Sequence, residues 1–146
     1  MNLLCRNGTM GRVAVEIEVA SNVDRVLVEL GMLPADKVRR VRLPAVVESG
    51  ATYLVLPSST VAQLGLTPSR RITVKYADQR RVERDIVPNV LLELQGRRGL
   101  FEAVVEPDRT DALVGTIPLE AMDFLIDCPT SALVPRDPNT TLTEVE

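Results

Sequence analysis

Glu48-Ser49-Gly50 lies between two apolar runs, Ala45-Val46-Val47 before it and Tyr53-Leu54-Val55-Leu56 after it, the second closed by Pro57. An acid, a hydroxyl residue and a glycine in a turn between two strands are residue types that paired-carboxylate chemistry could use. Two carboxylates held a few ångströms apart cannot both ionise, so one keeps a proton while the other activates a water for attack on a carbonyl. A hydroxyl beside the acid, here Ser49, can hydrogen-bond across to a partner loop. Gly50 lets the backbone turn and approach closely. Ser and Gly are also common in ordinary surface turns, so the tripeptide alone decides nothing. Histidine is absent from the 146 residues. That excludes Ser-His-Asp and Cys-His catalysis and His-ligated metal sites within the chain, and leaves carboxylates as the acid/base groups. Asp78, Asp111 and Asp127 are not obvious substitutes for Glu48, because none sits in an acid-Ser/Thr-Gly turn.

The surrounding elements must position that turn. Arg12 to Ala20 alternates, with Val13, Val15, Ile17 and Val19 on one face, and predicts a half-buried strand. Ser21 and Asp24 form a capping-box pattern ahead of Val23, Val26, Leu27 and Leu30, which predicts a short helix over 23–30 with one apolar face, ended by Gly31. A strand over 38–47 then delivers the chain to Glu48. Its Arg39, Arg40 and Arg42 read as a solvated face paired with nearby acids, or as a partner site. After the strand 53–56, Pro57-Ser58 opens a short helix closed by Gly65. A polar hairpin follows, Arg71 to Tyr76 and back through Arg84, turning at Ala77-Asp78-Gln79. A second hairpin pairs 86–94 with 100–105 around Gln95 to Gly99. Ala112-Leu113-Val114-Gly115 is an apolar strand ending in glycine, followed by a helix over 117–122, an apolar run over 124–126 and a terminal strand over 132–135.

This order resembles that of the retropepsin-like aspartic proteases, in which a hydrophobic strand runs into Asp-Thr/Ser-Gly-Ala and on into an apolar strand and short helix. Ser49, Gly50 and Ala51 match the motif, and Glu48 stands where the family has aspartate. The resemblance implies a mainly β fold: a closed β-barrel with one or two short helices and a flap hairpin, one half-site per chain. It implies a domain over 11–135, after an extension over 1–10 and before a disordered tail over 136–146. By the same resemblance Glu48, Ser49 and Gly50 are the catalytic residues, and Ala77, Asp78 and Gln79 lie at a flap tip that meets substrate. An apolar strand ending in a glycine such as Gly115 packs beside the acid loop. The chain has one acid-Ser-Gly loop where the family's site needs two, so a working site requires a homodimer acting on a peptide or protein. No cofactor and no metal are implied. Three readings stay open: an endopeptidase with a Glu48 pair, active weakly or under restricted conditions because glutamate replaces aspartate; a catalytically dead dimer that binds peptides or regulates; and a small β-rich structural or interaction domain in which Glu48 is a solvated turn residue.

Composition narrows the rest. Hydrophobic residues make up 45% of the chain but aromatics only 3%, so a core must be built from Val, Leu, Ile and Ala, and the valines lean towards strands. A net charge of −3 gives no electrostatic reason to expect nucleic acid. No run approaches the ~18 apolar residues of a membrane helix, so a soluble, cytoplasmic protein without membrane contact is expected. Cys5 and Cys128, far apart and in no ligand spacing, read as free thiols of a reducing compartment, with a disulfide left open.

Overall fold

The computed structural model describes residues 12–145; the extension expected over 1–10 lies outside them. Among the described residues nine strands and three α-helices follow one another as β1 (Arg12–Ser21), α1 (Asn22–Glu29), β2 (Arg40–Glu48), β3 (Leu54–Pro57), α2 (Ser58–Leu64), β4 (Arg70–Lys75), β5 (Arg81–Leu94), β6 (Arg97–Glu106), β7 (Ala112–Val114), α3 (Thr116–Ala121), β8 (Phe124–Asp127) and β9 (Ala132–Pro135). Six strands close into a barrel in the order β1-β2-β7-β3-β6-β5, with β5 returning to pair with β1. Strand β4 hangs outside on β5, and β8 and β9 form a separate two-stranded ribbon. Closure removes the open sheet edges that would otherwise invite further pairing.

The barrel is filled as the composition requires, by aliphatic side chains. Ile17, Val47, Leu54, Leu56, Leu92 and Val114 are buried almost completely, and Phe124 and Met122 belong to the same core. Alternation along β1 places Val13, Ile17 and Val19 inward, as its sequence predicts.

Strand β5 is longer than its sequence suggests. The return strand of the first hairpin and the opening strand of the second are one 14-residue element. It shifts register between Val87 and Val90, where Asn89 takes φ 69°. This irregularity bends the strand, so its first half pairs with β4 while its second half closes the barrel on β6 and β1. The turn into β6 is also tighter than expected. Gln95 and Gly96 alone carry positive φ between Leu94 and Arg97, as a two-residue hairpin loop demands.

Helix α1 forms where its cap predicts, with the Asp24 amide donating to Ser21 Oγ at 3.1 Å, but its apolar face points the other way. Asn22 and Asp24 are buried, whereas Val23 and Leu30 are 44% and 65% exposed. Charge pairing decides this orientation. Arg39 donates from Nε to Asp24 Oδ2 at 2.8 Å and from Nη2 to Oδ1 at 2.9 Å, and its backbone amide adds a third bond at 3.0 Å. A bidentate pair of this kind fixes geometry as well as charge. Gly65 ends α2 with φ 65° and leaves the space that the Arg39 guanidinium fills. The other two arginines of the cluster behave as a paired strand face: Arg40 and Arg42 lie 3.6 Å from Glu18 oxygens, and Arg42 lies 3.7 Å from Glu16.

Hydrogen bonds from Arg39 hold the Asp24 carboxyl below its ordinary pKa of 3.8. A depressed carboxylate pKa contributes stability that is complete above the unfolded-state value and is lost as pH falls through the folded-state value. Asp24→Asn should therefore cost about 2 kcal/mol near neutral pH, with Arg39 half exposed and partly screened. The gap between the two proteins in denaturant melts should stay constant from about pH 5 upward and narrow below about pH 4. A gap that widened in acid would refute the pairing.

The tail beyond Arg136 has no regular secondary structure, yet its backbone is tied to the barrel. Buried Asp123 pairs with Arg136 Nε at 2.7 Å and accepts the Leu142 amide at 3.0 Å. Arg97, stacked 5.3 Å above the Phe124 ring, donates to the carbonyls of Met122, Asp123, Asp137 and Thr140. Asp123→Asn keeps a residue type tolerant of its φ of 61° but removes the charge. Amide exchange at 137–142 should then rise about tenfold, the size of one charge-assisted hydrogen bond.

Cys128 is disulfide-bonded, which corrects the expectation of a free thiol there; Cys5 lies outside the described residues. No helix among the described residues is long and apolar enough to cross a membrane.

Candidate active site

Strand β7 lies between the strands that enter and leave the acid turn. It runs parallel to β2, with Val47 opposite Val114, and antiparallel to β3, with Leu54 opposite the same valine. The chain from Glu48 to Tyr53 must therefore cross the end of β7. The crossing is closed by four backbone hydrogen bonds. Ala51 N donates to Glu48 O at 3.2 Å, Gly115 N to Tyr53 O at 3.1 Å, Thr116 N to Ala51 O at 2.9 Å and Ile117 N to Thr52 O at 2.9 Å. Gly115 makes this crossing possible, since a Cβ there would sit 2.6 Å from both the Thr52 carbonyl carbon and the Tyr53 oxygen. The expected packing of a glycine-ended strand beside the acid turn is thus present in detail.

Glu48 closes β2 with its side chain 32% exposed, and its Oε1 is 4.0 Å from Arg12 Nη1. It borders a cleft of about 480 Å³ whose lining also includes Gly50, Ala51, Thr52 and Tyr53 from the loop. Val55, Val104 and Leu113 supply an apolar floor from the outer face of the barrel. The β4–β5 hairpin supplies the roof with Ile72, Val74, Tyr76 and Ala77. Of the residues singled out in the sequence, Glu48, Gly50 and Ala77 meet in this one cleft. Ser49 stays in the turn without lining it. Asp78 and Gln79 form the exposed hairpin tip, where Gln79 takes φ 71° and Asp78 Oδ1 caps the Arg80 amide at 3.0 Å.

Sequence reading passed over Tyr76, Glu106 and Arg109, which line the cleft, and Arg84, which bonds to Glu106 behind it. Glu106 Oε1 accepts from Tyr76 Oη at 2.6 Å and from Arg84 Nε at 3.0 Å. Burial, reinforced by the Glu106 carboxylate, raises the Tyr76 pKa, so the phenol stays a donor. Burial opposes the charge on Arg84, but hydrogen bonds to Glu106 and Tyr76 outweigh it and raise its pKa. Arg109 is paired with Asp111 at 2.8 Å. The period of two was the available signal: Val104 and Glu106 share one face of β6, and Tyr76 continues the face of Ile72 and Val74. Among the described residues no cluster of three His, Cys, Asp or Glu side chains could hold a metal ion.

No protein-family model and no curated protein matches the chain. Among solved structures, the retroviral protease-like domain of Ddi1 from Leishmania major superposes with a TM-score of 0.52, covering 86% of this chain and 90% of that domain at 17% identity. The fold is retropepsin-like. A retropepsin-like aspartic protease from Rickettsia conorii is similar over 81% of this chain and 86% of its own, at 15% identity and a TM-score of 0.47. The simian foamy virus protease matches over 53% of this chain and 80% of its own, at 20% identity and a TM-score of 0.43. In this retropepsin-like fold the closed barrel, the crossed acid turn and the overlying hairpin together build the cleft.

Proposed function

We propose that residues 11–135 are one half of a retropepsin-like aspartic endopeptidase, which hydrolyses peptide bonds as a homodimer. Glu48 from each subunit supplies one carboxylate of the pair that shares a proton and activates water. The observation that carries this reading is the placement of an acid-Ser-Gly turn at the mouth of a cleft roofed by a hairpin, in a retropepsin-like fold. Ser49 and Gly50 hold the turn, and Ala77, Asp78 and Gln79 lie at the tip that closes on substrate. A peptide in extended form suits a cleft with an apolar floor and backbone on both sides.

The glutamate favours a second reading, a dimer that binds peptides without cutting them. Its added methylene moves the carboxylate by about 1 Å, enough to disturb a shared site. A soluble cytoplasmic location completes the proposal, although the disulfide at Cys128 removes the support that free thiols would have lent it.

The test is cleavage of a peptide library from pH 4 to 7, with sedimentation of the same samples. Cleavage by the native chain that falls at least ~10²-fold in Glu48→Ala is the expected result for loss of an acid/base group. A dimer that binds peptides and never cuts them would select the second reading. A monomer that does neither would overturn both.

A further inference from the structure

The roof of the cleft has no backbone bond to the strand beneath it: among the described residues β4 pairs with β5 alone. Side chains make the connection at two places. At the base of the hairpin, Arg70 bonds to Tyr53 and its Nη2 lies 2.9 Å from Glu102 Oε2, but Arg70 and Glu102 are well exposed and such contacts hold little. Near the tip, one oxygen of Glu106 receives Tyr76 from the end of β4 and Arg84 from β5. Both arms of the hairpin thus converge on the last residue of β6. That strand pairs in parallel with β3, the strand leaving the acid turn, with Glu106 opposite Pro57.

We propose that Tyr76, Arg84 and Glu106 are positioning residues that latch the hairpin over the cleft and set the height at which it meets a bound peptide. The peptide part rests on the function proposed above; the latch does not. Three features support it. Arg84 and Glu106 are only 20% and 14% exposed, so their charge-assisted bonds are less screened than those of a surface pair. The ring of Tyr76 continues the apolar row of Ile72 and Val74, and its hydroxyl reaches past them to the floor. Between the tethers the hairpin turns a small aliphatic set, Ile72, Val74 and the part-buried Val82 opposite Val74, towards the barrel.

Amide exchange of the full chain tests the latch in Tyr76→Phe, Glu106→Gln and the double variant. The reporters are the Tyr76 amide, bonded to Arg80 O, and the Gln79 amide, bonded to Tyr76 O. Each single variant should speed them about tenfold, the double variant should add little, and β1 amides should keep their native rates. Native rates at the hairpin, equal acceleration throughout the barrel, or additive effects in the double variant would each overturn the latch. In whichever Glu48 form cleaves peptides, Tyr76→Phe should raise KM about tenfold with kcat little changed, and an unchanged KM would overturn the peptide part. If no form cleaves, the proposed activity fails by itself, and the exchange rates still decide the latch.

Discussion

Glu48→Asp is expected to cleave peptides about a hundredfold faster than the native chain. The reason is geometric. In the proposed homodimer, two carboxylates that share a proton and a water must stand within hydrogen-bond reach of both, and the association of the two subunits sets the separation of their Cα atoms. A methylene added on each side makes the pair clash or splay, and displacement of about 1 Å costs on the order of 10²-fold in rate. Shortening the side chain asks nothing of the scaffold. Glu48 ends β2 in a turn held by backbone bonds, and its side chain is partly exposed at the cleft. The measurement is kcat/KM on one peptide set between pH 4 and 7 for both proteins at matched dimer concentration. A slower Glu48→Asp would mean that the cleft is built around the longer acid. Silence from both, with peptide binding retained, would point to the binding module.

Gly115→Ala should lower stability by about 2–3 kcal/mol, equivalent to a fall of roughly 10 °C in melting temperature for a chain of this size. The added Cβ meets backbone, the Thr52 carbonyl carbon and the Tyr53 oxygen at 2.6 Å, and backbone cannot rotate away as a side chain would. Relief requires separating β7 from the loop, which breaks the bonds from Gly115, Thr116 and Ile117 to residues 51–53. The same movement shifts the turn that carries Glu48. Any cleavage should therefore fall by about 10²-fold or more, beyond what partial unfolding explains. Thermal melts and exchange at residues 115–117 read the two effects separately. A Gly115→Ala protein with native melting and native protection at those amides would show that the crossing tolerates a side chain.

Much of this molecule is legible along the chain because its interactions are local or periodic. Alternation in β1 names its buried face, Ser21 and Gly65 mark helix ends, and Glu48-Ser49-Gly50 stands out as an acid in a turn. A sequence carries such signals because a strand repeats every two residues and a helix end needs particular backbone conformations. The orientation of α1 was not legible. Its apolar spacing points one face inward, but a pair between Asp24 and Arg39, 15 residues apart, turns that face to solvent. Nor was the continuity of β5, since a bend at Asn89 lets one strand serve both hairpin and barrel. The acid of the turn that borders the cleft could be read from residue types and order alone. Its surroundings could not: that β7 threads between β2 and β3, and that Glu106 of β6 receives Tyr76 and Arg84, depends on contacts between segments some 20 to 70 residues apart. Closing a barrel brings such segments together through burial of aliphatic side chains with no pairwise code, so only the tertiary structure decides which polar groups end up facing one another.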